Sequence, residues 1–188
     1  DGILEEIIKR INLKDIQVCE FGAWDGKHYS NTFNLVEKYS AKAVYIEQDR
    51  IRFNDLIRTS ENFKNILPIN SSINLNENLF DKVVSNTFLK KNFDILSIDI
   101  DSNDLEVWES IKNYEPKIVI IEISSYILPG KLERYDSDKN TKNSFTSTIN
   151  VGKKKGYTPI VHVGNLIFIK NEYLDKLDID KRLLLKNE

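Results

Sequence analysis

Residues 154–170 read KKGYTPIVHVGNLIFIK, in which two apolar runs are separated only by Gly164 and Asn165. A connection of two residues joins antiparallel strands, because a parallel crossover needs about a dozen residues or more. The sequence therefore predicts a closing hairpin of strands 157–163 and 166–170.

Upstream of the hairpin, short apolar runs alternate with segments of helical periodicity. The predicted strands are 16–21, 43–47, 65–70, 93–98 and 117–123, and the predicted helices are 1–14, 30–39, 50–60, 77–88, 104–114 and 144–155. This alternation predicts a mostly parallel sheet with right-handed crossovers and helices on both faces. With the antiparallel hairpin added, we expect an α/β, Rossmann-like mixed sheet of seven strands. A flavodoxin-like sheet of five strands explains the hairpin less well.

The chain length of 188 residues suits one domain with a sizeable core. We expect residues 1–14 to form an N-terminal helix and residues 171–188 a C-terminal extension. The sequence contains no methionine, so Asp1 is not expected to be the natural beginning. The chain is then either a domain excised from a longer protein or one that has lost a disordered leader.

Charge and cysteine content argue against several classes of protein. With 27 basic and 29 acidic residues the net charge is −2, which provides no field to attract DNA or RNA. The lone Cys19 excludes an internal disulfide framework and favours a reducing compartment. No apolar run approaches the length of a membrane span, and no signal-peptide pattern is present. We therefore expect a cytoplasmic location and no nucleic-acid partner.

The first predicted strand leads into EFGAWDG, residues 20–26, an acid-x-Gly-x-x-x-Gly pattern. In an open parallel sheet, ligands bind beyond the carboxyl ends of the strands. Gly22 permits a tight turn there, and Gly26 lets the following backbone approach a ligand. The Gly-x-Gly-x-x-Gly dinucleotide fingerprint is absent, and the acids Glu20 and Asp25 suit a cationic sulfonium ligand better than a pyrophosphate. The alternative is an ordinary turn after a strand, which uses glycine only for its backbone freedom.

Polar residues also follow the second and third predicted strands. Glu47 ends the second, where an acid can accept both hydroxyls of a ribose. The alternative is a solvated acid before a helix that Asp49 caps. Asn70 and Ser71 follow the third strand and can hydrogen-bond an adenine edge, although such residues are also common in turns.

The fourth predicted strand runs into three carboxylates, Asp99, Asp101 and Asp104. Acids this close repel one another unless a proton, a cation or a role as a base relieves them. Helix capping is the simpler explanation for Asp101 and Asp104. The two histidines, His28 and His162, lie near predicted strand ends, and a lone histidine is more often structural than catalytic.

Several of these stretches resemble one family. VCEFGAWDGKHYSNT, residues 18–32, resembles the first motif of FkbM-type and related bacterial methyltransferases. FDILSIDIDSND, residues 93–104, is similar to their fourth-strand motif, and KIVIIEIS, residues 117–124, to their fifth strand, with Glu122 matching a recurrent acid. Residues 154–170 resemble their closing hairpin. The likeness covers nearly the whole chain in the right order.

The resemblance implies S-adenosylmethionine as the methyl donor. It places Glu47 on the ribose, residues 70–73 near the adenine, and around the methionine part of the cofactor Glu20, Gly22 and Gly26. From its position after the fourth strand, Asp99 is expected to contact the cofactor where the methyl group is presented. Many relatives methylate sugar hydroxyls in surface polysaccharides or natural products, so the expected acceptor is a sugar hydroxyl of a glycan or a small glycosylated metabolite.

Two departures from the family pattern blur the detail of the site. Ser102 stands where a glycine is common. Asn70 or Ser71 replaces the acid often found on the adenine, so the adenine and acceptor contacts are less defined than the cofactor itself.

A sugar hydroxyl is a poor nucleophile and gains from a general base or a metal ion. The candidate catalytic groups are Asp99 and Asp101, followed by Asp104, His28 and Glu122. A Mg²⁺ ion shared by Asp99, Asp101 and Asp104 is the metal hypothesis, since hard oxygen ligands suit that ion.

Two other functions are compatible with the predicted fold. A nicotinamide-dependent oxidoreductase on a Rossmann-like fold needs the dinucleotide fingerprint that is missing here. The other is a non-catalytic, degenerate methyltransferase domain. Such a domain would not need to keep Glu20, Gly22, Gly26 and Glu47, so the presence of all four argues against it.

Overall fold

The computed structural model describes residues 2–77 and 79–179. The strands are β1 Gln17–Phe21, β2 Lys42–Glu47, β3 Ile66–Asn70, β4 Ile95–Ile98, β5 Ile118–Glu122, β6 Tyr157–Val163 and β7 Asn165–Lys170. The helices are α1 Gly2–Arg10, α2 Phe33–Tyr39, α3 Arg50–Asn62, α4 Phe80–Val83, α5 Asp104–Ser110 and α6 Phe145–Lys154, and a 3₁₀ helix, Asn171–Leu177, follows β7.

All seven strands belong to one sheet of order β3-β2-β1-β4-β5-β7-β6. The first five strands pair in parallel, and β7 pairs antiparallel with both β5 and β6. The predicted mixed sheet with a closing hairpin is confirmed. Pro68 and Pro159 lie in β3 and β6, the two edge strands of the sheet. Proline is tolerated in an edge strand because one side of that strand has no neighbour that needs its amide proton.

The two faces of the sheet bury separate cores, because successive side chains of a strand point to opposite faces. Cys19 and Phe21 belong to a cluster that includes side chains of α4, α5 and α6, where the rings of Trp108 and Phe168 lie 5.0 Å apart. Val18 belongs to the other cluster, with α1, α2, α3 and the 3₁₀ helix. Both faces are therefore covered, as continuous apolar strands require.

The register of the parallel strands aligns their carboxyl ends. Phe21 pairs with Ile46 of β2 and with Ile98 of β4, and Ile98 pairs with Ile121 of β5. The next residue of each of these strands, Gly22, Glu47, Asp99 and Glu122, consequently stands at one edge of the sheet.

The helix predicted over residues 77–88 is too long, because of its described residues only the four of α4, Phe80–Val83, are helical. The chain turns because Ser85 and Thr87 donate their hydroxyls to the carbonyls of Lys82 and Val84, at 2.8 Å each. Such side-chain bonds compete with the amides that would continue a helix.

Helix α5 also ends earlier than predicted, at Ser110 rather than residue 114. The amides of Lys112 and Asn113 both donate to the Asp81 carboxylate at 3.0 Å, which draws the chain out of the helix towards α4. Tertiary hydrogen bonds of this kind leave no periodic signal in the sequence.

The C-terminal extension predicted for residues 171–188 begins with the 3₁₀ helix, whose Leu177 is buried against the sheet. Residues 180–188 lie outside the described residues. Among the described helices, none has the length and apolar character that a membrane crossing requires.

Candidate active site

A cavity of about 760 Å³ opens at the edge where β1, β2, β4 and β5 end. Its walls come from the turn after β1, the end of β2, the segment after β3 and the loop after β4. The lining includes Glu20, Gly22, Trp24, His28, Glu47, Arg52, Ser71, Ser72, Ile73, Asp99, Asp101 and Glu122. The carboxyl-end location predicted from the sequence therefore coincides with this cavity.

Glu20 is buried in the floor of this cavity. Thr32 donates its hydroxyl to the carboxylate at 2.6 Å and its amide at 3.1 Å, and Ser30 and the Asn31 amide donate as well. Burial raises the pKa of Glu20, and these donors partly offset that rise. Residues 30–32 serve the carboxylate in this way instead of starting α2 at residue 30, as the sequence predicted.

The two glycines of the first turn differ in what they allow. Gly22 has φ +78, and a Cβ there would lie 1.6 Å from the carbonyl oxygen of Asp99. Only glycine lets the ends of β1 and β4 approach so closely. A Cβ on Gly26 would instead meet the side chains of Leu56 and Tyr45, at 2.7 and 3.1 Å. Gly26 thus serves the packing of α3 and is not among the residues lining the cavity.

Glu47 is fixed by backbone donors on both sides of its carboxylate. The amide of Trp24 donates to one oxygen at 2.9 Å and the amide of Asp49 to the other at 2.7 Å. Asp49 then caps α3 by accepting from Ile51 and Arg52. Because a carboxylate oxygen has more than one lone pair, Glu47 can still accept hydrogen bonds from a ligand in the cavity.

The residues predicted to contact an adenine divide into two groups. Asn70 donates its side-chain amide to the carbonyls of Glu47 and Gln48, at 2.8 and 3.2 Å, and so ties β3 to β2. Ser71, Ser72 and Ile73 line the cavity. The structure therefore moves the polar wall one residue beyond Asn70.

Asp99 is a partly buried acid whose pKa lies well above the ordinary value of an aspartate. Burial, followed by the nearby charges of Glu122, Asp104 and Asp101, raises its pKa to about 7. Its backbone amide bonds Phe21 at 3.3 Å, so β1 holds the residue in place, and none of the described residues donates a hydrogen bond to its carboxylate. A carboxyl group of this kind exchanges its proton near neutral pH.

Three of the acids form a compact cluster. One oxygen from each of Asp99, Asp101 and Glu122 lies within 4.8 Å of the others. The Lys142 ammonium approaches from the loop after β5, 3.1 Å from Asp101 and 3.8 Å from Glu122. Burial raises the pKa of Glu122, while Lys142 opposes that rise.

Asp104 has a different environment from its two neighbours. Its oxygens accept the amides of Ile100 and Ser102, at 2.8 and 3.0 Å, and it is almost fully buried. It therefore closes the loop from β4 to α5, and Glu122 takes the third place in the acid cluster. Asn103 is the residue that precedes α5, without a side-chain capping bond.

The two histidines lie apart. His28 lines the cavity mouth and bonds Asp25 through Nδ1 at 2.6 Å, with its side chain 75% exposed. Asp25 also accepts the amides of Lys27 and His28, so it organises the turn after β1. His162 lies in β6 against Phe145, outside the cavity.

The charges around the cavity are unbalanced. Five carboxylates line it, belonging to Glu20, Glu47, Asp99, Asp101 and Glu122. Among the described residues that line it, Arg52 carries a permanent positive charge, and its guanidinium lies 4.7 Å above the ring of Trp24. A cavity with this surplus of negative charge attracts cationic groups and opposes anionic ones.

No family model matches the sequence, and no curated protein does either. Solved structures resemble the fold. M. capricolum TrmK, determined with the cofactor product S-adenosyl-homocysteine, superposes with a TM-score of 0.50 at 16% identity over 88% of this chain and 67% of that one. A SAM-dependent methyltransferase from Aquifex aeolicus gives a TM-score of 0.50 at 16% identity over 88% of both chains.

An O-methyltransferase family protein from Burkholderia thailandensis gives a TM-score of 0.53 at 10% identity, over 88% of this chain and 55% of that one. All three superpose over 88% of this chain. The fold is the class I methyltransferase fold. At these identities the likeness establishes the architecture alone.

Within this class I methyltransferase fold, two parts of the site are not evident from sequence motifs. Lys142 lies in a polar loop with no recognisable pattern, far along the chain from the acids it contacts. Trp24 has φ +50, which is uncommon for a residue with a side chain, and this turn directs its amide to Glu47. The sequence signal for Trp24 was its place within EFGAWDG, between the two glycines.

Proposed function

We propose that the chain is an S-adenosylmethionine-dependent methyltransferase that methylates a sugar hydroxyl of a glycan or a small glycosylated metabolite. The observation that carries the proposal is the acidic cavity at the carboxyl edge of this fold. The free, buried thiol of Cys19 is consistent with the cytoplasmic location expected for such an enzyme.

The residues of the cavity fit the cofactor by charge. S-adenosylmethionine carries a sulfonium and an ammonium group, and five carboxylates face the cavity. A dinucleotide would bring two phosphates against the same carboxylates, which like-charge repulsion opposes. The charge balance therefore favours the methyl donor over a nicotinamide cofactor.

Individual contacts follow from the geometry. Glu47, held by Trp24 and Asp49, is placed to accept ribose hydroxyls. Glu20 and the Gly22 turn face the region for the amino-acid part, and Ser71 and Ile73 provide the wall for the base. When bound, the cofactor supplies an electrophilic methyl group.

Asp99 is the proposed general base. At neutral pH a carboxyl group with a pKa of about 7 is partly ionised, so it can accept the proton that the acceptor hydroxyl loses as its oxygen forms the new bond to carbon. Asp101 is more exposed and paired with Lys142. Its proposed role is to hold Lys142 over the site, and its predicted role as a base is secondary.

The proposal requires no Mg²⁺ ion. The Lys142 ammonium already lies against Asp101 and Glu122, and both oxygens of Asp104 are bound to backbone amides. The metal hypothesis for Asp99, Asp101 and Asp104 stays a prediction, which activity in excess chelator tests.

Calorimetry with the full chain tests the cofactor. We expect S-adenosylmethionine and S-adenosylhomocysteine to bind with measurable heat and NAD not to bind. Binding of NAD without either sulfur compound overturns the proposal. Formation of S-adenosylhomocysteine with candidate sugar acceptors then distinguishes an active enzyme from a degenerate domain that binds the cofactor alone.

A further inference from the structure

A second cavity, of about 670 Å³, lies beside the first. It is an open depression bordered by the end of β5, the loop between β5 and α6 and the turn between β6 and β7. Its size falls within the range of about 300–1,000 Å³ that is usual for sites of small molecules.

The lining of this cavity is rich in neutral hydrogen-bonding groups. They belong to the lining residues Ser124, Ser125, Asn140, Thr141 and Asn165. The charged side chains are two acids and one lysine, so no strong field of one sign selects an ionic ligand. Hydroxyls and amides that both donate and accept are suited to a ligand with many hydroxyl groups.

One aromatic ring of the lining is left open to water. Tyr126 is 98% exposed, although it belongs to the cavity wall. An exposed ring offers an apolar face. The C–H face of a sugar ring matches this face, and the hydroxyls of the sugar match the neighbouring neutral polar groups.

The two cavities meet at Glu122, which lines both. One of its oxygens lies within 4.8 Å of the Asp99 carboxylate. Lys142 also lines the second cavity and contacts Glu122 across this junction. Glu122 therefore connects the second cavity with the Asp99 carboxylate of the first.

We propose that the second cavity binds the sugar ring of the acceptor, with one face of the ring against Tyr126 and one hydroxyl directed past Glu122 to Asp99. The assignment of this sugar as the methyl acceptor rests on the proposed function. The binding of the sugar itself does not.

Nuclear magnetic resonance of the ¹⁵N-labelled full chain tests this site. The probes are the methyl glycosides of glucose, mannose, galactose and rhamnose, each added with and without S-adenosylhomocysteine. We expect at least one glycoside to shift the amides of Ser124, Ser125, Thr141 and Asn165. If none of the four shifts these amides, the proposal is overturned.

Variants of the exposed ring make the test specific. Tyr126→Ala should weaken the affinity of the bound glycoside by about tenfold, whereas Tyr126→Phe should stay within about twofold. Leu128→Ala is the matched control, because Leu128 is exposed in the same loop but does not line the cavity. Unchanged affinity in Tyr126→Ala contradicts the proposal, and the full exposure of the ring makes misfolding an inadequate explanation of a loss.

The two proposals fail in different ways. If S-adenosylhomocysteine binds and no glycoside does, the methyltransferase proposal stands and the sugar site is lost. If a glycoside binds the second cavity and neither sulfur compound binds the first, the sugar site stands and the methyltransferase proposal is lost.

Discussion

Two aspartates flank strand β4, and their surroundings differ. Asp94 precedes the strand and is buried, with the Lys117 ammonium 2.6 Å from one oxygen and the Gln17 amide 2.7 Å from the other. Asp99 follows the strand and faces Glu122, Asp101 and Asp104, whose charges add to the effect of burial. The same strand thus carries at one end a compensated acid, whose charge is balanced by a cation and an amide. At the other end it carries an uncompensated acid, whose neighbours are themselves acidic.

The acid at one end of β4 supports the stability of the fold, and the acid at the other end is suited to a function. A buried carboxylate that only supports a fold is expected to have partners, because an unpaired charge is costly to remove from water. Asp94 meets that expectation. Of the acids at the carboxyl edge, Asp101 and Glu122 are paired with Lys142, and a cationic ligand would neutralise negative charge that remains there.

The largest expected effect comes from removing the charge of Asp99. Asp99→Asn should lower turnover by a factor of roughly 10²–10⁴ if the carboxylate is the base, with cofactor affinity preserved. The activity of the unsubstituted enzyme should rise with pH through about 7, where Asp99 loses its proton, and this rise should vanish in the variant. The measurement is the rate of S-adenosylhomocysteine formation with an acceptor glycoside.

Two controls accompany that experiment. Asp55→Asn changes a surface acid paired with Arg58 on α3 and should leave turnover unaltered. Excess chelator should also have no effect, whereas loss of activity that Mg²⁺ restores would favour the metal hypothesis. Normal turnover and pH dependence in Asp99→Asn would remove Asp99 from the mechanism.

The opposite end of β4 should respond in stability. Asp94→Ala leaves Lys117 without its partner and the Gln17 amide without its acceptor, so the free energy of unfolding should fall by about 3 kcal/mol. Urea denaturation measures it. Asp55→Ala, which breaks an exposed pair, should cost less than about 1 kcal/mol. Equal effects of the two substitutions would mean that Asp94 is no more compensated than a surface acid.

Glu47 tests the cofactor side of the acidic edge. Glu47→Gln keeps the size of the side chain and one acceptor for Trp24 or Asp49, but it removes the charge that strengthens hydrogen bonds to ribose hydroxyls. Affinity for S-adenosylhomocysteine should fall about tenfold, as measured by calorimetry. Glu61→Gln, an exposed change on α3, serves as the control. An affinity equal to that of the control would show that Glu47 only braces the turn.

The smallest expected effect is the stability cost of Asp99 itself. Burial raises its pKa from the ordinary 3.8 to about 7, so between these values the folded state holds a proton that the unfolded state has lost. The free energy of unfolding therefore falls as pH rises through this window, and the penalty is complete above pH 7. Partial exposure limits it through screening by water.

Asp99→Asn removes that penalty. At pH 8 its thermal midpoint should exceed that of the unsubstituted protein by about 2–4 °C, which corresponds to about 1 kcal/mol. At pH 4 the two midpoints should coincide. A variant that is less stable at pH 8 would indicate that the Asp99 carboxylate is compensated like that of Asp94.

The sequence by itself determined the architecture and the edge at which the site lies. Alternating apolar runs, the two-residue Gly164–Asn165 connection and the Gly22 turn are local signals, because strand periodicity and backbone freedom depend on residues close in the chain. Parallel strands end at one edge of a sheet. Glu20, Glu47 and Asp99 could therefore be assigned to one site from the sequence alone.

Only the tertiary structure decided how the acids are partnered. Asp104 binds the backbone of its own loop, while Glu122 joins Asp99 and Asp101 from another strand and Lys142 reaches them from a distant loop. The second cavity also depends on two segments that meet only in the folded chain. Contacts between residues far apart in sequence carry no periodicity, and their geometry is set by how helices and loops pack on the sheet.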